Sequence, residues 1–466
     1  MSLALQALDR TAYRPSRAIE AIGDIIADPV APAEFPKHVL RFRNDRWAGR
    51  VGLDALDDDR WIAHFGRFEP LPRSLPQPLA LRYHGHQFRV YNPDLGDGRG
   101  FLFAQLFDDR GRLLDLGTKG SGTTPYSRFG DGRLTLKGGV REILATEMLE
   151  ALGVNTSRSF SLVETGEQLH RGDEPSPTRS AVLVRLSHGH IRIGSVQRLA
   201  VLGELEAIPR LAAYVLEQLY GEAPGDEPEL RLLERVVAGA ARLAASYMAA
   251  GFVHGVLNSD NINLTTESFD YGPWRFTPMW EPGFTAAYFD QQGLYAFGRQ
   301  AQAIHWDVVQ LGIALAKLKP VEALAPLLDT FPALYETALV EAMLGRLGVV
   351  PRGSAADLAL LQAIERGLGA QSVTIDRFFF DWRGGRRRSP SPADAAYAAD
   401  FADLPALLEP YAATGPADHP YWSDAEPCSM HIDEVEAIWA AIDREDDWGS
   451  LHAKVNSIRR MGEAQG

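Results

Sequence analysis

Sulfur chemistry is almost absent from this chain: among 466 residues there is one cysteine, Cys428. A lone cysteine excludes an intrachain disulfide and any thiolate-bound metal cluster. Long hydrophobic runs are missing too. No stretch approaches the roughly eighteen uninterrupted apolar residues of a spanning helix. The opening MSLALQALDRTAYRP lacks the basic flank and apolar run of a secretory segment. A cytoplasmic protein with no membrane contact is the expectation. Positive charge is scarce: 47 basic residues face 61 acidic ones, for a net charge of -14. That balance argues against bulk nucleic-acid binding, and a local basic pocket would stand out by contrast. There are no internal repeats and no long low-complexity tract. What remains, 45% hydrophobic and 23% charged, is an ordinary folded chain long enough for roughly two to four structural units.

Chemistry-bearing side chains crowd into Gly251 to Trp274, GFVHGVLNSDNINLTTESFDYGPW. The preceding run, Leu232 to Phe252, carries apolar residues at helical spacing and predicts a buried helix ending near Gly251 or Gly255. Asn258, Ser259, Asp260 and Asn261 then form a polar turn. Ile262 to Leu264 alternates as a short strand should, so a hairpin-like return is expected, with Asn261 at one end and Asp270 at the other. A lone loop Asp usually just caps a turn. Here carboxylates and amides cluster between apolar flanks, and two hard oxygen ligands suit Mg²⁺ or Mn²⁺ rather than zinc.

A second set of residues lies upstream. Leu102 to Phe107 and Leu113 to Leu116 read as strands of a hairpin around Asp108 to Gly111. Before them runs the glycine-rich loop Asn92 to Gly100, where Gly96, Gly98 and Gly100 are expected to present backbone amides to a phosphate or simply to form a turn. Lys119 ends the second strand among small residues, where a lysine either reaches a phosphate as a point charge or is a plain surface residue. Asp131, in the loop Tyr126 to Arg133, either accepts from a nucleoside or closes an Asx turn. Val140 to Leu152 is a helix stopped by Gly153. Its first-turn Glu142 is either a dipole partner or the mate of Lys119. Arg185 interrupts the apolar strand Ala181 to Leu186, a costly placement unless the guanidinium meets an anion. With Arg192 it makes a plausible triphosphate clamp. Further on, helices are expected over residues 304–318, 321–346, 353–369, 432–442 and 451–461, and Arg383 to Arg388 reads as a solvated basic loop.

A strand lysine and helix glutamate, with a loop Asp-Asn and a later Asp for metal, are the protein-kinase way of holding ATP, although the usual HRD, DFG and GxGxxGxV strings are absent. The expected fold is α+β, a protein-kinase-like bilobal arrangement. Residues 1–78 would form an N-terminal extension, 79–200 a sheet-rich nucleotide-binding lobe, 201–345 a helical lobe with the metal and catalytic loop, and 346–466 a mostly helical C-terminal region. The leading function is a transferase. Phosphoryl transfer by the same fold and a non-catalytic ATP-binding regulator are the alternatives.

At these residues the chain strongly resembles the selenoprotein O (YdiU) family of protein adenylyltransferases. The likeness is carried by Tyr83-His84-Gly85-His86-Gln87-Phe88, Leu95 to Arg99, Lys119-Gly120, Thr124 to Arg133, Arg141-Glu142, His190-Ile191-Arg192, His254-Gly255-Val256, Asp260-Asn261 and Asp270 to Pro273. It covers roughly residues 40–315 and is most specific through TPYSRFGDGR. The resemblance implies a pseudokinase that binds ATP inverted, so that AMP passes to a Ser, Thr or Tyr hydroxyl of a protein, the enzyme itself included, and pyrophosphate leaves. It implies Lys119 with Glu142, Arg185 and Arg192 on the phosphates, and Gly96, Gly98, Arg99, Asp131 and Gly132 lining the nucleotide site. Asp260 would be the proton acceptor, with Asn261 and Asp270 on Mg²⁺ or Mn²⁺. A monomer is expected. Three departures stand out: Arg89 where the family usually has glycine, Lys137-Gly138-Gly139 in place of Arg-Ser-Ser, and no cysteine pair for the family's C-terminal disulfide switch.

Overall fold

The computed structural model describes residues 12–172 and 174–466; the first eleven residues, where no secretory segment was expected, lie outside them. The apolar runs of the first half pair into one antiparallel sheet, nine-stranded among the described residues. Its longer strands are β1 (Ala27–Pro29), β2 (Val39–Arg43), β3 (Leu79–Leu81), β4 (Leu102–Phe107), β5 (Leu113–Lys119), β6 (Arg158–Leu169) and β7 (Thr178–Ser187). They lie side by side as β1-β3-β4-β5-β7-β6-β2.

Alternation along each strand divides the sheet between two cores. Val182, Val184 and Leu186 of β7 face a cluster around Trp47, Trp61 and Phe160, where the Trp61 and Phe160 rings stack at 4.9 Å. Leu183 of β7 and Leu162 of β6 face the opposite way, into the core built on α1 (Leu136–Ala151). Thr135 caps α1, accepting from the Gly138 amide at 3.1 Å. A side chain at Gly139 would collide with Leu162, so that glycine lets the helix lie close on the sheet. Residues 12–78, read as an extension, are woven into this lobe: β1 pairs with β3, and β2 closes the edge beside β6. Three- and five-residue strands between prolines leave too little periodicity to read beforehand.

The second half is helical. α2 (Pro228–Ala250), α3 (Gln300–Leu315) and α4 (Phe331–Leu347) pack together, and Gly251 ends α2 at φ 67°. α5 (Ser354–Gly369) joins α4 in a separate core, and α6 (Ile432–Glu445) and α7 (Gly449–Gln465) run back to α1. There Arg459 of α7 meets Glu147 of α1 at 2.6 Å. Among the described residues no helix is long and apolar enough to cross a membrane.

Two local expectations give way. Ile262 to Leu264 does not return on itself as a hairpin. Instead Ile193 N donates to Ile262 O and Leu264 N to Ile191 O, each at 2.9 Å, and Asn263 bridges to Arg192. The buried Ile262 and Leu264 find their backbone partners in the segment that follows β7. The basic loop is solvated only in part: Arg386 and Arg387 are exposed, while Arg383 and Arg388 are engaged. Arg383 donates to the carbonyl of Arg346 at 3.1 Å and of Gln465 at 2.8 Å, and Arg388 to that of Asp424 at 2.8 Å. These guanidiniums staple the C-terminal helices together.

Candidate active site

The sheet register explains how the cations converge. Lys119 lies opposite Leu183, and Arg185 is two residues further along the same face of β7, so Lys119 and Arg185 project to one side. Behind them α1 offers Glu142, fully buried. The Lys119 ammonium donates to Glu142 Oε1, and its other contact is Asp270 Oδ1 at 2.8 Å. Glu142 is therefore the mate of Lys119 rather than a helix-dipole partner. Arg185 Nη1 stands 3.4 Å from the same Asp270 oxygen. Burial alone would raise the Asp270 carboxyl, but Lys119, Arg185 and Arg192 outweigh it and hold it well below the usual carboxylate range. Asp270 also takes φ 61°, a left-handed conformation that Asp tolerates better than most residues.

Arg192 holds the loop of Asp260. Its Nη1 donates to the Asp260 carbonyl at 2.9 Å, Nη2 lies 3.4 Å from Asp97, and the guanidinium sits between the Tyr83 and Phe269 rings at 4.3 and 4.8 Å. The Asp260 side chain is 8% exposed and its Oδ1 has no hydrogen-bond partner. Burial pushes this carboxyl up to about 6, against the pull of Arg192. The strand of Gly85 passes so close that a Cβ there would lie 2.8 Å from the Asp260 Cβ.

These groups open onto one cavity of about 600 Å³, a size suited to a nucleotide. Gly96, Gly98 and Arg99 line it on one side, Asp131 and Gly132 on another, with Lys119, Arg185, Arg192, Asp260 and Asp270 at its floor. Asp131 both closes an Asx turn, accepting from the Arg133 amide at 2.9 Å, and pairs with Arg171 at 2.9 Å. Gly96, Gly98 and Gly100 lie along the cavity, and a second constraint keeps them small. They do not take positive φ; side chains at Gly96 and Gly98 would run into Tyr126, and one at Gly100 into the Thr118 carbonyl. Their small size thus also admits neighbouring chain. Asn261 is not among the lining residues. Its Nδ2 donates to the Val256 carbonyl at 2.9 Å, which orients the amide and leaves Oδ1 as its acceptor.

Among the described residues there is no cluster of three or more His, Cys, Asp or Glu side chains able to hold a metal by themselves. The Asp270 carboxylate at the cavity and the Oδ1 of Asn261, next in sequence to Asp260, are nonetheless hard-oxygen donors. They fit Mg²⁺ or Mn²⁺ that takes its other ligands from phosphate and water. Two residues escaped the sequence reading. Asp97 is the carboxylate facing Arg192. Asp307 of α3 is 1% exposed with both oxygens unpartnered, and burial, then Asp260, drives its carboxyl far above the usual range. An aspartate on the apolar face of Ile304, Val308 and Leu311 was the available signal. Arg89 is exposed at φ 64° with its guanidinium over the Trp306 ring at 5.4 Å. Glycine adopts that backbone at less cost, and the arginine side chain points away from the nucleotide loop to Trp306.

A sheet lobe that presents a lysine–glutamate pair to a helical lobe bearing a buried aspartate is the arrangement with which protein kinases hold ATP, and it marks the class as nucleotide-binding. Comparison with known proteins narrows this. The sequence matches the family described as Protein adenylyltransferase SelO over residues 9–396. It is 43% identical over 465 residues to a Protein nucleotidyltransferase YdiU of Gloeobacter violaceus, covering 96% of this chain and 95% of that one. To the protein of the same description from Trichodesmium erythraeum it is 42% identical, with 96% and 98% covered. The chain belongs to the SelO/YdiU family and is a protein nucleotidyltransferase. Among solved structures, ROP2 from Toxoplasma gondii, described as a virulence factor with a protein-kinase fold and no enzymatic activity, aligns at 13% identity over 64% of this chain and 84% of its own. Its TM-score of 0.28 adds nothing to what the lobes themselves display.

Proposed function

We propose that this chain transfers AMP from ATP to Ser, Thr or Tyr hydroxyls of proteins, itself among them, with the residues around Lys119 as the machinery. The observation that carries this reading is the ammonium of Lys119 held between Glu142 and Asp270 at the floor of a cavity walled by Arg185 and Arg192. Those three cations would bind the phosphates. Their charge opposes the negative charge that grows on the phosphate oxygens as the α-phosphorus is attacked. Gly96, Gly98, Arg99, Asp131 and Gly132 would line the rest of the nucleotide. The Asp260 carboxylate would accept the proton of the attacking hydroxyl; with its pKa lifted to about 6 it is ionised at neutral pH yet more basic than a free aspartate. The hydroxyl oxygen bonds to the α-phosphorus, the bond from that phosphorus to the bridging oxygen breaks, and pyrophosphate leaves with the electron pair. Asn261 and Asp270 would hold Mg²⁺ or Mn²⁺, which when bound neutralises phosphate charge.

The test is intact mass of the enzyme and of candidate acceptor proteins after incubation with metal and ATP labelled separately at the α and γ phosphates. A gain of one AMP with α label retained supports the proposal. Retention of γ label alone overturns it in favour of phosphoryl transfer.

A further inference from the structure

Beside the nucleotide cavity lies a second cleft of about 480 Å³. Arg99, Lys119, Arg133 and Arg171 line both, so an occupant of one lies against an occupant of the other. Lys137, Arg141 and Arg275 belong to the second cleft alone, and its acidic lining is Glu174 and Glu436. In a chain of net charge -14, such a concentration of cations is the local exception that composition left open.

The charges are also incompletely matched. Arg133 is neutralised by Glu167 and Arg171 by Asp131. Glu436 sits 2.7 Å from Lys137 but 3.9 Å from Arg141. Arg141 otherwise donates to the Trp274 carbonyl at 3.0 Å and lies over the Trp274 ring. Among the described residues Arg275 donates only to the carbonyls of Pro273 and Trp274, at 3.1 and 3.0 Å. Burial, and then the charge of Arg275, pull Arg141 down to about 10 against the opposite pull of Glu436 and Glu174. On the rim stand Tyr288 and Phe289, 81% and 43% exposed, apolar surface of the kind protein partners cover.

We propose that the second cleft seats an acidic segment of the acceptor protein, its carboxylates on Lys137, Arg141 and Arg275 and its hydroxyl directed at the nucleotide next door. This rests on the nucleotide occupying the first cavity. Substrate selection then follows from charge: hydroxyls flanked by Asp or Glu are drawn in, and those flanked by Lys or Arg are repelled. The rival occupant is the nucleotide's own triphosphate.

The experiment uses the full chain and two fluorescein-labelled peptides, Glu-Glu-Tyr-Glu-Glu and Gln-Gln-Tyr-Gln-Gln. Their binding is followed by fluorescence anisotropy with and without a saturating non-hydrolysable ATP analogue and metal. The acidic peptide is expected to bind about tenfold tighter or more, the scale that complementary charge supplies, and to stay bound with the analogue present. Lys137→Glu/Arg275→Glu should remove that preference and Lys137→Gln/Arg275→Gln should weaken it, while both stay folded by circular dichroism and keep the parent's affinity for the analogue. Equal binding of the two peptides, or binding of neither, overturns the proposal. So does displacement of the peptide by the analogue, or loss of analogue affinity in the folded variants, which would give the cleft to the nucleotide. A parent that binds no analogue refutes the nucleotide assignment instead, and the peptide comparison then decides the cleft alone.

Discussion

Replacing Lys119 by alanine tests the centre of the site. The ammonium is 4% exposed and Glu142 fully buried, and Glu142 Oε2 already lacks a partner. Removing the lysine strands a carboxylate beneath the sheet, whereas Asp270 keeps Arg185 at 3.4 Å. Breaking one side of a buried ion pair costs about 3–5 kcal/mol. Over 466 residues the unfolding entropy is about 1 kcal/mol/K, so the melting temperature should fall by about 3–5 °C. The companion is Lys119→Met/Glu142→Leu, which removes both charges while filling the space. It should recover most of that loss, since a buried pair contributes little net stability over an apolar replacement. Neither variant should transfer AMP or bind nucleotide tightly. Scanning calorimetry of parent, single and double variants, run beside the labelled-ATP assay, reads both effects. A Lys119→Ala protein that melts with the parent, or a double variant as unstable as the single, would refute the view that Glu142 depends on this lysine for its charge.

Asp260 gives a pH signature. Its carboxyl, pushed up to about 6, takes a proton only when ionised, so kcat/KM should decline as pH falls below about 6 and level off above it. Asp260→Asn should lower the rate roughly 100- to 10,000-fold with nucleotide affinity intact; a rate flat down to pH 5 contradicts the base assignment. Asp270→Ala, or chelation of the metal in the parent, should abolish the rise in melting temperature that an ATP analogue with Mn²⁺ produces, and an undiminished rise would remove Asp270 from the metal's ligands. Glu267, 5% exposed, has its carboxyl raised by burial from 4.5 to about 7. The folded state keeps this proton where the unfolded chain releases it, so stability drains away as pH climbs from about 4.5 to 7. Glu267→Gln should match the parent at pH 4 and be more stable at pH 8, by at most about 3 kcal/mol; equal melting at pH 8 would sink the argument.

Residues whose roles depend on local pattern were legible in the sequence. Arg185 in an apolar run announced a buried charge in need of a partner, Lys119 at a strand end and Glu142 on α1 were open between pairing and blander roles, and the structure brings all three to Asp270 or to one another. The longer helices of the second half followed from their spacing, but the span 321–346 divides into Val321–Leu328 and Phe331–Leu347, and the short helices Ile375–Asp381, Asp394–Asp400 and Leu404–Leu408 carried too few turns to be read. Roles set by distant chain were not legible. Whether Gly96 faces a phosphate or Tyr126 depends on a loop thirty residues away. The partners of Ile262 and Leu264 lie some seventy residues upstream. Arg383 and Arg388 looked like surface charge because the carbonyls they grip belong to α4, to the final residues and to the turn at Asp424. Edge strands as short as β1 leave no period to detect.

The clasp between Arg459 and Glu147 ties the far end of the polypeptide to the very rod that carries Glu142. Loosening that tail, by proteolysis or by a protein that pries it away, would withdraw support from α1 one turn or so beyond the glutamate and let the lysine cage relax. A cut more than three hundred positions downstream would then register as a weaker hold on Lys119, through a linkage made of one ion pair and one helix.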